Sequence, residues 1–216
     1  MSLPFLVPDD IRRAIPLAQR HLAAGGLLAY PTETVYGLGS APTDAALDAL
    51  AVLKGRPPKK PFLLLVSSEK MAEEWGLVFS RAASAMAAAF WPGPLTLVLK
   101  GGEGKLPERL RGAEGGIAVR YTSHRGIRQL VEACGIPLTS TSANRPGGPP
   151  AAGAAGIDVL FGDSVRAGHL LVLDGGVLGN VPPSTLVDCT EPVPRLVREG
   201  AIPRAELRRA VGSFAP

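Results

Sequence analysis

A chain of 216 residues with 46% hydrophobic and 19% charged side chains has the make-up of one folded domain with a sizeable core, which excludes a disordered chain. No apolar run approaches the ~20 residues of a membrane span, and the first residues, with Asp9 and Asp10 before Ile11, lack the basic and apolar parts of a secretion signal, so a cytoplasmic protein is expected. The net charge of +4 and pI near 9.3 favour anionic partners without choosing among nucleotide, RNA and acidic protein.

Asp9 or Asp10 is expected to cap a helix running to about His21, with Ile11, Ala14, Ile15, Ala18 and Leu22 at helical spacing and Gly25 and Gly26 ending it. Leu27–Tyr30 is a short apolar strand, and Pro31 stops its ladder. Thr43 is a candidate N-cap for a helix through Leu47, Leu50 and Leu53 that closes near Gly55. A basic, proline-rich loop follows from Lys54 to Lys60. Phe62–Val66 reads as a strand, Ser68 and Ser80 as caps of two helices, and Leu95–Lys100 as another strand. After a glycine-rich, charged excursion from Gly101 to Gly115 come strand Gly116–Tyr121, helix His124–Cys134 and strand Pro137–Ser140. Arg145–Gly156 is Pro, Gly and Ala with one Arg, and reads as a mobile loop. Strands near Leu170–Leu173, Thr185–Asp188 and Arg195–Arg198 precede a last helix from Pro203 to about Val211. This alternation predicts an α/β fold: a twisted, mixed, largely parallel-containing sheet flanked by helices. One domain is expected over 1–216, its core at about 8–200 and its C-terminal helix at about 203–212.

Four polar constellations stand out. Pro31–Gly39, PTETVYGLG, crowds hydroxyls, one carboxylate and two glycines behind a strand, a position where ligands collect in α/β sheets; local backbone satisfaction by Thr32 and Thr34 is the competing explanation. Lys54, Arg56, Lys59 and Lys60 fall within seven residues stiffened by Pro57, Pro58 and Pro61, which suits a clamp on an oligophosphate as well as it suits a solvated basic loop. Ser140, Thr141, Ser142 and Asn144 follow strand 137–140 and so form a hydroxyl and amide cluster at a strand end, and Ser184 and Thr185 form another just before a strand; both are fitted to phosphate or ribose oxygens or to plain turn chemistry. Arg120 closes a buried strand, where it offers a carboxylate a bidentate grip or forms a structural ion pair. Walker A, GxGxxG, HExxH and nucleophile-elbow patterns are missing, and no acid–base dyad is legible. Cys134 and Cys189 match no metal or redox spacing and read as buried or half-buried thiols. Strand-end hydroxyls and cations serve anion binding and charge stabilisation better than covalent catalysis.

The chain resembles the YrdC-like threonylcarbamoyl-AMP synthases of tRNA modification. The likeness runs over nearly its whole length through PTETVYGLG (31–39), KGRP and KPF (54–57, 60–62), WPGPLTLVL (91–99), AVR (118–120), TSAN (141–144), DGG (174–176), ST (184–185) and LVREG (196–200). The resemblance implies a YrdC/RibB-like α/β fold, without the extra C-terminal domain of longer relatives. It implies condensation of L-threonine, bicarbonate or CO2, and ATP to threonylcarbamoyl-adenylate plus pyrophosphate, handed to a downstream threonylcarbamoyl transferase complex. By similarity Thr32, Thr34, Arg120, Ser140 and Ser184 would hold threonine. Lys54, Arg56, Lys60, Gly116, Ser142, Asn144 and Arg198 would serve ATP, Lys54 and Arg56 also acting in catalysis; magnesium is expected with the nucleotide. Three positions depart from the family pattern: Leu65 stands where some relatives have a threonine-contacting histidine, Pro150 near a nucleotide-contacting serine, and Gly116 where a threonine can contact ATP. Two other readings compete: a basic module binding double-stranded RNA or tRNA, and a diverged paralogue of the same fold. Only 5% of residues are aromatic, poor provision for base stacking, so any RNA binding is expected to be weak.

Overall fold

Short-range chemistry sets where the helices begin. The computed structural model describes residues 1–55, 61–179, 181–212 and 214. Its first half runs β1 (Ser2–Pro4), α1 (Pro8–Ala23), β2 (Leu27–Tyr30), β3 (Gly37–Gly39), α2 (Asp44–Lys54), β4 (Leu63–Leu65), α3 (Glu69–Glu74), β5 (Leu77–Val78) and α4 (Arg81–Phe90). Then come β6 (Leu95–Gly101), a 3-10 turn at Glu108–Leu110, β7 (Ile117–Arg120), α5 (Arg125–Cys134) and β8 (Leu138–Ser142). The chain finishes with α6 (Ala154–Arg166), β9 (Leu170–Asp174), β10 (Thr185–Asp188), β11 (Arg195–Arg198) and α7 (Arg204–Val211). Thr43, Ser68 and Ser80 each accept an N–H three residues on, capping α2, α3 and α4 as expected. Gly55 ends α2 at φ 61°, a left-handed turn that glycine enters without a Cβ penalty. At α1 the expected cap is not used: Val7 holds the cap position and Pro8 opens the helix. Asp9 and Asp10 lie in its first turn, where they face the positive end of the helix dipole.

The strands form one path in the order β1-β9-β2-β3-β8-β4-β7-β6-β10-β11, with β5 on β6. The sheet is mixed, with four parallel and six antiparallel pairings among the described residues. Its middle is β8, hydrogen-bonded to β3 on one side and β4 on the other. That strand continues to Ser142, so Thr141 and Ser142 belong to the ladder rather than follow it.

Three strands and one helix escape sequence reasoning. In β3, Gly-Leu-Gly has little strand propensity, yet tertiary contact demands it: a Cβ on Gly39 would lie 2.0 Å from Thr139 O and 2.9 Å from the Tyr30 hydroxyl. The two-residue β5 and the terminal β1 are too short for a periodic signal. Helix α6 lacks a side-chain cap and is kinked at Phe161, so neither its start nor its spacing announces it. The segment leading to it, read as a mobile loop, is tied at its start by Arg145. That side chain packs 4.7 Å over the Phe161 ring and donates to Leu53 O at 3.1 Å and Leu160 O at 2.7 Å.

The core holds Phe5, Tyr30, Tyr36 and Phe161 fully buried. Both tyrosine hydroxyls find partners: Tyr30 donates to Thr139 O at 3.2 Å and Tyr36 to Gly176 O at 2.8 Å, which staples the 175–176 turn to the residue that leads into β3. The cysteines are free, Cys189 buried and Cys134 half-buried. Among the described residues no helix is long and apolar enough to cross a membrane, and no group of three His, Cys, Asp or Glu is placed to hold a metal.

Candidate functional site

Because side chains alternate across a strand, residues two apart share one face of the sheet. On one face near the middle strand this brings together Ser140 and Ser142 of β8, Leu63 of β4, Ala118 and Arg120 of β7, and Thr96 and Val98 of β6. The ladder aligns them directly: Ser140 lies opposite Leu63, Thr96 opposite Arg120, Val98 opposite Ala118, and Gly37 opposite Ser142. That face is the floor of a cavity of about 810 Å³. Thr32 and Thr34 of the β2–β3 connection close one side, Ser184 and Arg198 another. Two proline-rich stretches, 149–152 and 178–179 with 181–183, form further wall, joined by the Leu178 N–H donating to Ala152 O at 2.8 Å. The hydroxyl clusters therefore meet on one sheet face close to strand ends: Arg120 and Ser142 are the last residues of β7 and β8, and Thr32, Thr34 and Ser184 lie in connections next to strands.

Eight residues to which the resemblance gives a role line this one cavity, Thr32, Thr34, Gly116, Arg120, Ser140, Ser142, Ser184 and Arg198, and Thr141 of the same hydroxyl cluster lines it too. Among its described lining residues the charged ones are both arginines, while the others are hydroxyl-bearing, glycine or apolar. Arg198 donates to Ser184 O at 2.8 Å, and its guanidinium is held below its ordinary value by partial desolvation and by the positive charge of Arg120. Two cations facing one hollow repel until an anion sits between them. Ser184 is anchored from the floor, its hydroxyl 2.9 Å from that of Thr96. Thr185 pins the 200–202 turn by accepting from Gly200 and Ile202 N–H and donating to Ile202 O.

Arg120 is only 5% exposed and takes part in both alternatives weighed for it, lining the cavity while pairing with Glu33 at 2.6 Å. Burial pushes the Glu33 carboxyl up, but the Arg120 charge and hydrogen bonds from Thr122 and Arg120 outweigh it and hold the group below the usual carboxylate range. Thr32 organises its own turn: its Oγ1 accepts the N–H groups of Thr34 and Val35 at 3.2 Å each. Ser140 sits beside Tyr30, whose phenol burial pushes far above its ordinary range. Gly116 is packed so closely that a Cβ would lie 2.5 Å from Thr190 and Val98 side chains, so a larger residue there collides with the floor.

Lys54 and Asn144 are not among the lining residues. Lys54, at the last turn of α2 and 6% exposed, donates to Ser142 O, to Asn144 O at 2.7 Å and to Asn144 Oδ1. Asn144 in turn accepts the Ser142 hydroxyl at 2.6 Å and donates to Gly148 O at 2.7 Å, so the lysine is a strut under the turn that leaves β8. Arg56 and Lys60 lie outside the described residues; Pro61, the next described position, lines the cavity. His124 serves as a helix cap, its Nδ1 accepting the Ile127 N–H at 3.3 Å, and burial lowers its pKa.

The family described as "Telomere recombination" (Sua5/YciO/YrdC) matches residues 20–200. The chain belongs to that family. It is 42% identical over 181 residues to the threonylcarbamoyl-AMP synthase of Chromohalobacter salexigens, covering 83% of this chain and 92% of that one. To the Pyrococcus abyssi enzyme of the same name it is 34% identical over 201 residues, 93% of this chain and 58% of that one. Among solved structures, P. abyssi Sua5 complexed with L-threonine superposes with a TM-score of 0.87 at 30% identity, over 99% of this chain and 62% of that one. Escherichia coli YciO superposes with a TM-score of 0.78 at 28% identity, over 93% and 94% of the two chains. The chain thus spans about three fifths of the P. abyssi Sua5 chain and nearly all of YciO.

Two features of this Sua5/YciO/YrdC site were not read from the sequence as site features. Thr96 is the one polar residue in Leu95–Leu99, and its alternation with apolar neighbours is the signal that could have placed it on the floor. The wall at 178–179 and 181–183 carries no such pattern. Of the departures from the family, Pro150 lines the cavity, and Leu65 lies opposite Arg120 in the ladder, buried and off the lining.

Proposed function

We propose that this chain is a threonylcarbamoyl-AMP synthase that joins L-threonine, bicarbonate-derived CO2 and ATP into threonylcarbamoyl-adenylate and pyrophosphate. The observation that carries the reading is the single cavity in which two arginines and several hydroxyls converge on an otherwise apolar floor. Such a surface accepts a molecule with anionic ends and an apolar body, and an amino acid next to a nucleotide is one. In the reaction the threonine nitrogen takes up CO2 with loss of a proton, a carbamate oxygen attacks the α-phosphorus, and the α–β phosphoanhydride bond breaks to release pyrophosphate. Neither step needs a nucleophilic side chain. Holding the carbamate in line with the leaving group and neutralising phosphate charge supply the acceleration.

On this reading Arg120 receives the threonine carboxylate, with Thr32, Thr34, Ser140 and Ser184 around it. The nucleotide lies toward Arg198, Gly116 and Ser142, with Arg56 and Lys60 on its phosphates; Lys54 acts through the turn it holds at Ser142 and Asn144. A magnesium ion would be carried by the ATP phosphates; no carboxylate is among the described lining residues, so the oxygens these could offer it are hydroxyls and main-chain carbonyls. The product is consumed by a transferase that modifies tRNA in the cytoplasm. The test is pyrophosphate release from ATP: it is expected only when threonine and bicarbonate are both present. Release independent of threonine would point to a diverged activity. RNA binding with a steep salt slope and no catalysis would favour the RNA-module alternative.

A further inference from the structure

The ion pair under the cavity wall is firm on one side and loose on the other. Arg120 Nη2 lies 2.6 Å from Glu33 Oε1, and that carboxylate is itself fixed by the Thr122 hydroxyl on Oε2 and by the Ser123 N–H at 3.3 Å on Oε1. The remaining guanidinium contacts are long: Nη1 and Nη2 both donate to Thr34 Oγ1 at 3.3 Å, and Nε donates to Gly93 O at 3.3 Å. These contacts occupy four of the five N–H groups a guanidinium carries, and the fifth is on Nη1. A charge-assisted bond of that shortness is strong, whereas neutral contacts at 3.3 Å are near the limit of hydrogen bonding. The loose edge belongs to two residues, Thr34 and Arg120, that both line the cavity.

We infer that Glu33 is a positioning residue whose carboxylate fixes the plane of the Arg120 guanidinium, while Thr34 Oγ1 keeps the Nη1–Nη2 edge open for the carboxylate of the amino-acid substrate. The inference rests on the reading of Arg120 as the substrate-carboxylate site. When the substrate arrives, Arg120 gives up its weak bonds to Thr34 and keeps the strong one to Glu33, so the fork is already oriented for two parallel N–H···O bonds. The Thr34 hydroxyl, whose proton points to Thr32 Oγ1 at 3.1 Å because Thr32 itself donates to Val35 O, then redirects that proton to the same substrate carboxylate. In the absence of substrate Glu33 also balances a cation that is nearly buried, which would otherwise be costly to hold there.

The test compares wild type, Glu33→Ala and Glu33→Gln by pyrophosphate release with threonine varied at saturating ATP, then ATP varied at saturating threonine, alongside urea denaturation. Losing a charged hydrogen bond that orients the fork is expected to raise the threonine KM of Glu33→Ala about 10- to 100-fold, with the ATP KM changed less than about twofold. Glutamine keeps an acceptor oxygen within reach of Nη2, so Glu33→Gln is expected to recover at least about half of that loss on a logarithmic scale. Should Glu33→Ala not fold, a threonine KM raised about 3- to 10-fold in Glu33→Gln with ATP KM unmoved supports the role. A wild-type threonine KM in folded Glu33→Ala, or in Glu33→Gln where the alanine variant does not fold, or a parallel rise of both KM values that tracks lost stability, overturns it. If the wild type itself releases no pyrophosphate from the full mixture, the functional reading fails and this role with it. If the wild type is active and folded Glu33→Ala (or Glu33→Gln, where the alanine variant does not fold) keeps its threonine KM, the positioning role fails alone.

Discussion

Lys54→Met keeps most of the apolar stem of a side chain that is 6% exposed and deletes its ammonium. That ammonium donates to Ser142 O, Asn144 O and Asn144 Oδ1, where the chain leaves the central strand. A hydrogen bond to a charged group contributes about 1.5–3 kcal/mol in a difference measurement, and stranded carbonyls cost about as much again. The three bonds share one donor group and the exposed part of the turn can take up water, so the losses do not add; about 3 kcal/mol is expected. With a urea slope of about 2 kcal/mol/M, the unfolding midpoint then falls by ~1.5 M. Tryptophan fluorescence is a suitable probe, since Trp91 packs beside the core and its indole N–H donates to Leu95 O at 2.8 Å at the start of the floor strand. The strut reaches Ser142 of the cavity floor, so the KM for ATP is expected to rise more than that for threonine. A midpoint shift below about 0.3 M would refute the strut, because taking a buried charged donor away from its acceptors at Ser142 and Asn144 has to register.

Arg120→Ala is expected to abolish threonine-dependent pyrophosphate release and also to lower stability by about 2–4 kcal/mol in denaturant titration, because it leaves Glu33 largely buried without its counter-charge. An unperturbed midpoint would mean that the pair contributes nothing to the fold. Gly39→Ala places a methyl 2.0 Å from Thr139 O, so β3 must separate from β8; a loss of about 3 kcal/mol or more in thermal unfolding is expected, and a near-neutral result would contradict the close approach of those strands. For Glu33 the folded pKa is depressed by Arg120 despite burial, so its contribution is fully present above the unfolded carboxylate value and disappears as pH falls through the lower folded one. Stability should therefore decline below about pH 4.3, and Glu33→Gln should show a shallower acid slope in urea titrations at stepped pH. Equal slopes would remove the ion pair from the account.

Much of the architecture is legible along the chain. Thr43, Ser68 and Ser80 cap helices by reaching three residues forward, and β2, β10 and β11 have the bounds their apolar runs predict. Of the candidate site, the hydroxyl groups and Arg120 are visible as residues out of keeping with buried strands. What misleads is distance along the chain: Lys54 reads as part of a basic loop, yet it is the last residue of a helix and its partners lie about ninety positions away.

The sequence by itself determines elements whose causes lie within about four residues: caps, glycine stops and periodicity, each settled by local hydrogen bonds and side-chain sterics. Only the tertiary structure decides that Thr96 faces Arg120, that Gly-Leu-Gly is a strand because Tyr30 and Thr139 crowd it, and that Glu33 takes one side of the Arg120 guanidinium. Strand order and register link residues some ninety positions apart, and a shift of one residue in either would turn the hydroxyls of the floor to the opposite face.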